Sequence, residues 1–457
     1  MLDTNGQCIS CKWYLGAFGR HYAVGCFAFP KEIPQELLTG ERQHKTPYGD
    51  DGGIVWEEDI RYLMDDDQRE HRAQEISDHL DELKALEPNP HCPKCGTNLH
   101  EVIYGMPAGP PSFRYFTAGC VIDEDSSLYR WWCRRCNAVI HDDSIMVSEL
   151  ARRYDAFESI DKREFQRSAR ILQSVWRVEH GYEIGEYKGK NGSRPSGSRL
   201  AMPRAREELN NYLNETIRGV VREEVIDPIK SKGKLYAKPR IFDDLLSSQP
   251  LCFNLFGPLK RDLLLATKVF QILLPGVVDS VTGVEFEWSP GSGDPEYTGD
   301  RSAFDVYVTF SSADGSKGFI GIEVKYHENL MVRASTHKTR YDEIASQMDC
   351  FNGSRLDDLK KQPLQQIWRD HMLAGIHRIV DGFEEGFFVF LYPEANTYCA
   401  EAVDRYGQCL TKNDTFKPWT LESVVNAIKR CTSEDWVDLF VDRYQNFDKL
   451  TNSAYRS

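Results

Sequence analysis

Apolar residues change spacing along this chain, and the changes outline its elements. In the C-terminal half, Leu255, Leu259, Leu263, Ala266, Phe270 and Leu273 recur at steps of three and four. That spacing predicts one helix with a buried face. Gly257-Pro258 suits its start and Pro275-Gly276 its end. Strand-like runs follow at 281–288, 303–310 and 318–326, then a helix over 363–380 and a strand at 386–392 (GFFVFLY). Two helices near 420–430 and 433–446 close the chain, with Thr420 and Ser433 as N-caps. The order helix, three strands, helix, strand predicts an α/β domain over 246–457, an αβββαβ core around one mixed sheet.

Upstream the texture differs. Residues 148–178 have helical spacing, with Phe165, Ala169, Leu172 and Trp176 on one stripe, and the helical pattern resumes at 204–224. The stretch between, KGKNGSRPSGSRLAMPRAR (188–206), reads as a basic loop, so 148–245 forms a helical, basic middle segment. Residues 55–90 hold a connecting helix with Ile76, Leu80 and Leu83 on one face, ended by Pro88 and Pro90. Residues 1–54 are rich in Cys, Gly, Pro and aromatics without periodicity, as in a small module held by metal. Residues 91–147 are short strand-like runs between cysteine pairs. The chain has no internal repeat.

Charge and cysteine usage sharpen this outline. The net charge is −14, which argues against a protein coated in nucleic acid, yet residues 186–240 carry thirteen Lys/Arg against seven Asp/Glu. Such a basic segment can steer a polyanion locally or be only a solvated connection. The start, MLDTNGQCIS, has no basic region and no apolar core, and no stretch is long and apolar enough for a bilayer. A soluble, cytoplasmic protein with no membrane partner is expected.

Eight of thirteen cysteines lie in the first 136 residues, six of them in C-x-x-C pairs. With no leader and an odd total, metal binding explains them better than disulfides. Cys92-x-x-Cys95 and Cys133-x-x-Cys136 are two knuckles of a zinc ribbon, a closed four-thiolate site with a structural role. Cys8-x-x-Cys11 and Cys26 need a fourth ligand, for which His21 and His44 are available. Arg130, Arg134 and Arg135 crowd the second knuckle with Trp131 and Trp132, a mix that suits either nucleic-acid contact or plain packing.

The chemistry is expected on the second and third strands of the C-terminal domain. SAFDVYVTF carries Asp305 and GFIGIEVKY carries Glu323 and Lys325, with Asp314-Gly315 as a hairpin turn between them. Alternation puts Glu323 and Lys325 on one face, and Ala303, Asp305 and Tyr307 on one face of their own strand, opposite Phe304, Val306 and Val308. Two carboxylates and an ammonium then meet on one side of the sheet. Phosphodiester hydrolysis needs such a set: carboxylates to hold Mg²⁺ (or Mn²⁺), and a lysine to position water or offset charge in the transition state.

Asp305 with Glu323-x-Lys325, in this element order, resembles the PD-(D/E)XK nuclease superfamily. Residues 160–410 are more closely similar to a bacterial family of restriction endonucleases, through SSQPLCFNLFGPL (247–259), DRSAFDVYV (300–308), GFIGIEVKYHE (318–328), QPLQQIWRDHMLAG (362–375) and FVFLYPEAN (388–396). The resemblance implies metal-dependent DNA cleavage in restriction of foreign DNA, metal ligation by Asp305 and Glu323, and Lys325 as catalytic lysine. Ala303-Phe304 stands where the superfamily name has proline. Glu287 in VEFEW is a candidate further carboxylate. Gln365 and Arg369, four apart on a helix, are candidates to contact the scissile phosphate or a metal-bound water. The segment from Cys8 to His44 also looks like small bacterial modules of the same arrangement, which points to His44 as the fourth ligand.

Two functions follow from these features. In the first, zinc modules and the basic middle segment present DNA to a nuclease sheet, and double-strand cutting by a one-site subunit favours a homodimer. In the second, the zinc modules bind nucleic acid or a protein partner and the nuclease fold is a silent scaffold. A complete Asp/Glu/Lys set favours the first.

Overall fold

A computed structural model of the 457-residue chain describes residues 149–450, apart from 159, 190, 191 and 332–334. Ahead of them it describes 11, 14–18, 23–26, 28, 29, 33–38, 42–46, 55, 56, 89–93, 98–103, 115–117, 130–133 and 136–140. The chain divides into two compact units, Met1–Glu149 and Leu150–Ser457.

The first unit holds a hairpin of β1 (Tyr14–Phe18) and β2 (Ala23–Cys26). It also holds a small sheet of β3 (His100–Ile103), β4 (Tyr115–Thr117), β5 (Trp131–Cys133) and β6 (Ala138–Ile140), in the order β4-β3-β5-β6. Its described core is small: Cys92, Leu99, Cys133 and Ile140. A core of that size needs a crosslink or a metal to hold it. Trp132 stacks on Phe116 at 3.9 Å and Arg130 lies over the Trp131 ring, whereas Arg134 and Arg135 lie outside the described residues. So does the connecting helix expected over 55–90, save residues 55, 56, 89 and 90.

The second unit is a mixed five-stranded sheet between two helical layers. The strands are β9 (Ser280–Trp288), β10 (Phe304–Ser311), β11 (Lys317–Val324), β12 (Glu385–Tyr392) and β13 (Phe416–Thr420). They run in the order β13-β12-β11-β10-β9. β9, β10 and β11 pair antiparallel, and β11, β12 and β13 pair parallel. One face carries Val306, Val308, Ile320, Ile322, Val324 and Val389. It packs on α3 (Ser248–Arg261), α4 (Leu263–Leu273), α8 (Leu421–Lys429) and α9 (Asp435–Tyr444). The other face carries Tyr307, Phe319, Phe388 and Phe390 against α5 (Thr339–Met348), α6 (Gln365–Val380) and α7 (Thr397–Gly407). Both faces of β11 and β12 are covered, which is why they read as continuous apolar runs.

Residues 150–245 share the first of these cores. Phe165 on α1 (Glu164–Glu179) and Ile217 on α2 (Glu215–Val221) belong to the same buried cluster as the sheet. No helix among the described residues is long and apolar enough to cross a membrane.

Several elements differ from expectation. The stretch 188–206 expected as a basic loop runs instead through a hairpin, from the end of β7 (Ile184–Gly189) along β8 (Gly192–Leu200). Apart from Leu200 the buried positions of β8 are small, Ser196, Gly197 and Ser198, and a Cβ at Gly197 would stand 1.9 Å from the Tyr154 carbonyl oxygen. The single helix expected from Gly257 is two helices broken at Asp262, whose side chain accepts the Leu265 N–H at 2.9 Å, and Pro258 lies inside the first. The helix expected over 204–224 is a single turn at 204–207, then α2 behind its Asn214 cap. Thr420 caps α8 by accepting the Ser423 N–H, but α9 begins after Glu434 rather than Ser433.

Candidate active site

The register of the sheet lines up three carboxylates. Val306 pairs with Ile322 and with Phe286, so Asp305 stands between Glu323 on β11 and Glu287 on β9. The Val324 N–H donates to Asp305 Oδ2 at 2.8 Å, which ties the two strands at this end. Strict alternation fails here: Phe304 packs in the cluster of Tyr307, not with Val306 as expected. The departure accompanies a left-handed backbone at Glu287 (φ +46°), directly across from Asp305. Gly321 makes room for the displaced ring, since a Cβ there would stand 2.5 Å from Phe304.

Glu323 and Lys325 are buried, 6% and 8% exposed. Lys325 Nζ donates to Glu323 Oε1 at 2.5 Å, and its own N–H donates to the Leu391 oxygen on β12. A second donor, Gln366 Nε2 on α6, reaches the same Glu323 oxygen at 2.6 Å. One turn further along that helix, Asp370 is 5% exposed, and its Oδ2 is buried with no hydrogen-bond partner.

Electrostatics mark this end of the sheet as short of positive charge. Burial, then the charge of Glu323, pushes Asp305 well above the carboxylate range, with Lys325 opposing. The same two causes raise Asp370, and they raise Glu287 to about 7. Burial works against the Lys325 ammonium, but Glu323, Glu328 and Asp305 outweigh it and hold the group charged. Four carboxylates stand here with one lysine among them and one oxygen orphaned, and carboxylate oxygens are the ligand type that hard divalent cations take. Among the described residues no three of these carboxylates bring ligand oxygens within 4.8 Å of one another.

Gln365 and Arg369 do not join this cluster. Gln365 holds the main chain of Ser335 at both ends, accepting its N–H at 2.6 Å and donating to its oxygen at 2.7 Å. Arg369 donates to Asp300 Oδ2 at 2.9 and 3.2 Å, and to the hydroxyls of Ser302 and Ser335. Despite its burial, Asp300 is held at about 2 by the Tyr341 hydroxyl, Arg369 and Ser302. The reason is helical geometry. Neighbouring residues point about 100° apart, so α6 turns 366 and 370 to the sheet and 365 and 369 to the Ser335 segment. Sequence reasoning missed Gln366, Asp370 and Asp300. The signal for the first two was their i, i+4 spacing, the same spacing that recommended Gln365 and Arg369.

The turn after Lys325 is clamped by α1. Asp161 accepts from Arg170 at 2.5 Å and meets His327 Nε2 at 3.0 Å. Gln166 donates to Asn396, whose amide donates to the oxygens of Tyr326 and Glu328.

In the first unit, Cys92, Cys133 and Cys136 bring their sulfurs within 4.8 Å of one another, with 3.8 Å between Cys92 and Cys136. Cys95 lies outside the described residues. Of the other set, Cys8 and His21 also lie outside them. His44 is buried with its ring 5.2 Å from Phe29, and Cys26 accepts the Phe29 N–H. Cys11, Cys26 and His44 form no comparable trio among the described residues.

No curated protein matches the chain, and no solved structure does. A family model described as PD-(D/E)XK nuclease superfamily matches residues 159–446, a span that takes in the whole carboxylate cluster and the α1 clamp. Nucleases of this kind generally use divalent metals, and the buried carboxylates with their orphaned Asp370 oxygen are hard donors of the kind such ions take. The chain belongs to the PD-(D/E)XK nuclease superfamily.

Proposed function

We propose that this protein is an endonuclease that cuts DNA with Mg²⁺ or Mn²⁺, in restriction of foreign DNA. The observation that carries the reading is the meeting of Asp305, Glu323 and Lys325 at one end of the central strands, with the lysine ammonium 2.5 Å from Glu323. Asp305 and Glu323 would hold the ion, and Glu287 and Asp370 border the same place. A divalent cation there supplies polarisation of the phosphoryl oxygen and a lowered pKa for its water. Lys325, kept charged by three carboxylates, offsets negative charge that builds on the phosphate. Gln366 and the α1 clamp hold Glu323 and the following turn in place. Cys92, Cys133 and Cys136, with Cys95, would bind a structural Zn²⁺; Cys8, Cys11, Cys26 and His44 are the candidates for a second. These modules offer a surface for DNA or a protein partner, and double-strand cutting would call for a homodimer.

The test is plasmid DNA incubated with the full-length protein and Mg²⁺ or Mn²⁺, with and without EDTA. Nicking that EDTA abolishes, and that Asp305→Ala and Lys325→Ala each remove, is the expected result. If the Asp305→Ala/Lys325→Ala double variant cuts at the parent rate, the site is misassigned. Binding of DNA without metal-dependent nicking favours the silent scaffold.

A further inference from the structure

We infer that the loop Asp227–Lys238 is a duplex-DNA contact beside the cleavage site, with Lys230 and Lys232 taking backbone phosphates and Ile229 lodging in the minor groove between them. The inference rests on the proposed cleavage of DNA.

The base of the loop is fixed against the carboxylates. Leu235 is tied through Gln249 to Glu287, the neighbour of Asp305 across the sheet. Gln249 on α3 bridges the same two residues, donating to Glu287 at 3.2 Å and to the Leu235 oxygen, while accepting the Ala237 N–H at 2.9 Å. Lys234 is spent on Glu224 at 2.6 Å, and Lys238 on the Val225 oxygen.

The tip is built to project. Asp227 Oδ1 accepts the N–H groups of Ile229 and Lys230 at 2.7 and 3.0 Å, a local turn that presents both side chains outward. Ile229 is 82% exposed, more than any other large apolar side chain among the described residues, and Leu235 is 51% exposed. An isoleucine held in water by its own turn gains only when a partner covers it.

Charge selects the partner. Six of the thirteen basic groups of residues 186–240 are neutralised within the fold: Arg194 by Glu158, Arg199 by Asp243 and Asp244, Arg204 by Glu208, Arg222 by Glu215, Lys234 by Glu224 and Arg240 by Asp244. Lys230 and Lys232 are exposed and make no ion pair with any described residue. Two uncommitted ammonium groups on an apolar tip, in a chain of net charge −14, fit a polyanion with an apolar groove. Six residues separate Ile229 from Leu235, a reach of at most about 20 Å from the carboxylates' neighbour to the tip. A duplex whose phosphodiester lies at Asp305 would therefore pass the loop.

The experiment measures binding of the full-length protein to a short fluorescent duplex by anisotropy, in EDTA, across a KCl series. Lys230→Ala/Lys232→Ala is expected to weaken binding at least tenfold at low salt. It should also reduce the slope of log affinity against log salt by about 1.8, two phosphates' worth. Ile229→Ser should weaken binding about fivefold and leave the slope unchanged. All three positions are exposed, so thermal midpoints should match the parent. A parent that binds and nicks DNA, with variants of parental affinity and slope, overturns the loop assignment alone, and the tip then belongs to a protein interface. A parent that neither binds nor nicks DNA overturns the DNA reading and the loop with it.

Discussion

Gln366 and Lys325 donate to one and the same oxygen of Glu323, from a helix and from just past the end of its own strand, at 2.6 and 2.5 Å. The carboxylate is thereby fixed from two sides while its other oxygen takes no part in either bond. Gln366→Ala should cut the cleavage rate about 10–100-fold, the usual cost of losing a group that orients a ligand, with folding intact. Gln365→Ala should instead lower stability by about 1–3 kcal/mol through the freed Ser335 main chain. Rates on plasmid DNA and urea midpoints for both variants separate the two effects, and equal behaviour would show the helix to be misread.

Asp305→Asn should raise the thermal midpoint of the metal-free protein. Its ionised form is disfavoured by burial and by Glu323, and the amide removes that repulsion. The same change should abolish cleavage and the stabilisation that Mn²⁺ confers on the parent. Calorimetry with and without Mn²⁺ checks both, and a lower metal-free midpoint would contradict the electrostatic account.

His371 makes stability depend on pH. It is fully buried, with its two ring nitrogens 2.9 Å from the Tyr406 and Thr415 hydroxyls, and burial lowers it from 6.5 to about 3. Below the unfolded value the unfolded chain binds the proton and the folded one does not. Its stabilisation is therefore complete above about pH 6.5 and declines as pH falls toward 3, by about 2 kcal/mol at pH 5. Denaturation midpoints from pH 7 to 5 should fall less steeply for His371→Gln.

Cys133→Ser should lower bound zinc by one per chain, measured by elemental analysis of the purified protein. Loss of metal should unfold the small sheet around Cys92, Leu99 and Ile140, whose core is too slight to stand alone. It should leave the thermal transition of residues 150–457 unchanged. Zinc content equal to the parent would remove Cys133 from the ligand set.

What could be read in advance followed from how burial writes itself into the residue pattern. β9 to β12 were legible because apolar side chains fill them, and Asp305, Glu323 and Lys325 stood out as charges inside apolar runs. The β7–β8 hairpin was not, because all its buried positions but Leu200 are Gly185, Ser196, Gly197 and Ser198, which resemble a loop. The break at Asp262 was hidden because the apolar stripe runs straight through it. Gln365 and Arg369 stand one residue out of phase with Gln366 and Asp370, a difference that repeating apolar positions cannot resolve. Phe304 misled for a related reason: alternation assumes regular backbone, and Glu287 across from Asp305 is left-handed.

The clamp on the turn after Lys325 decides where the enzyme can be cut. Asp161, Gln166 and Arg170 hold that turn, and Gln173 donates to both the Tyr326 hydroxyl and the Arg443 oxygen near the C-terminus. A fragment trimmed to begin at the first helix of the sheet would leave Tyr326 and Arg443 facing solvent and the lysine's turn slack. The smallest portable piece of this nuclease therefore begins near residue 150, before α1.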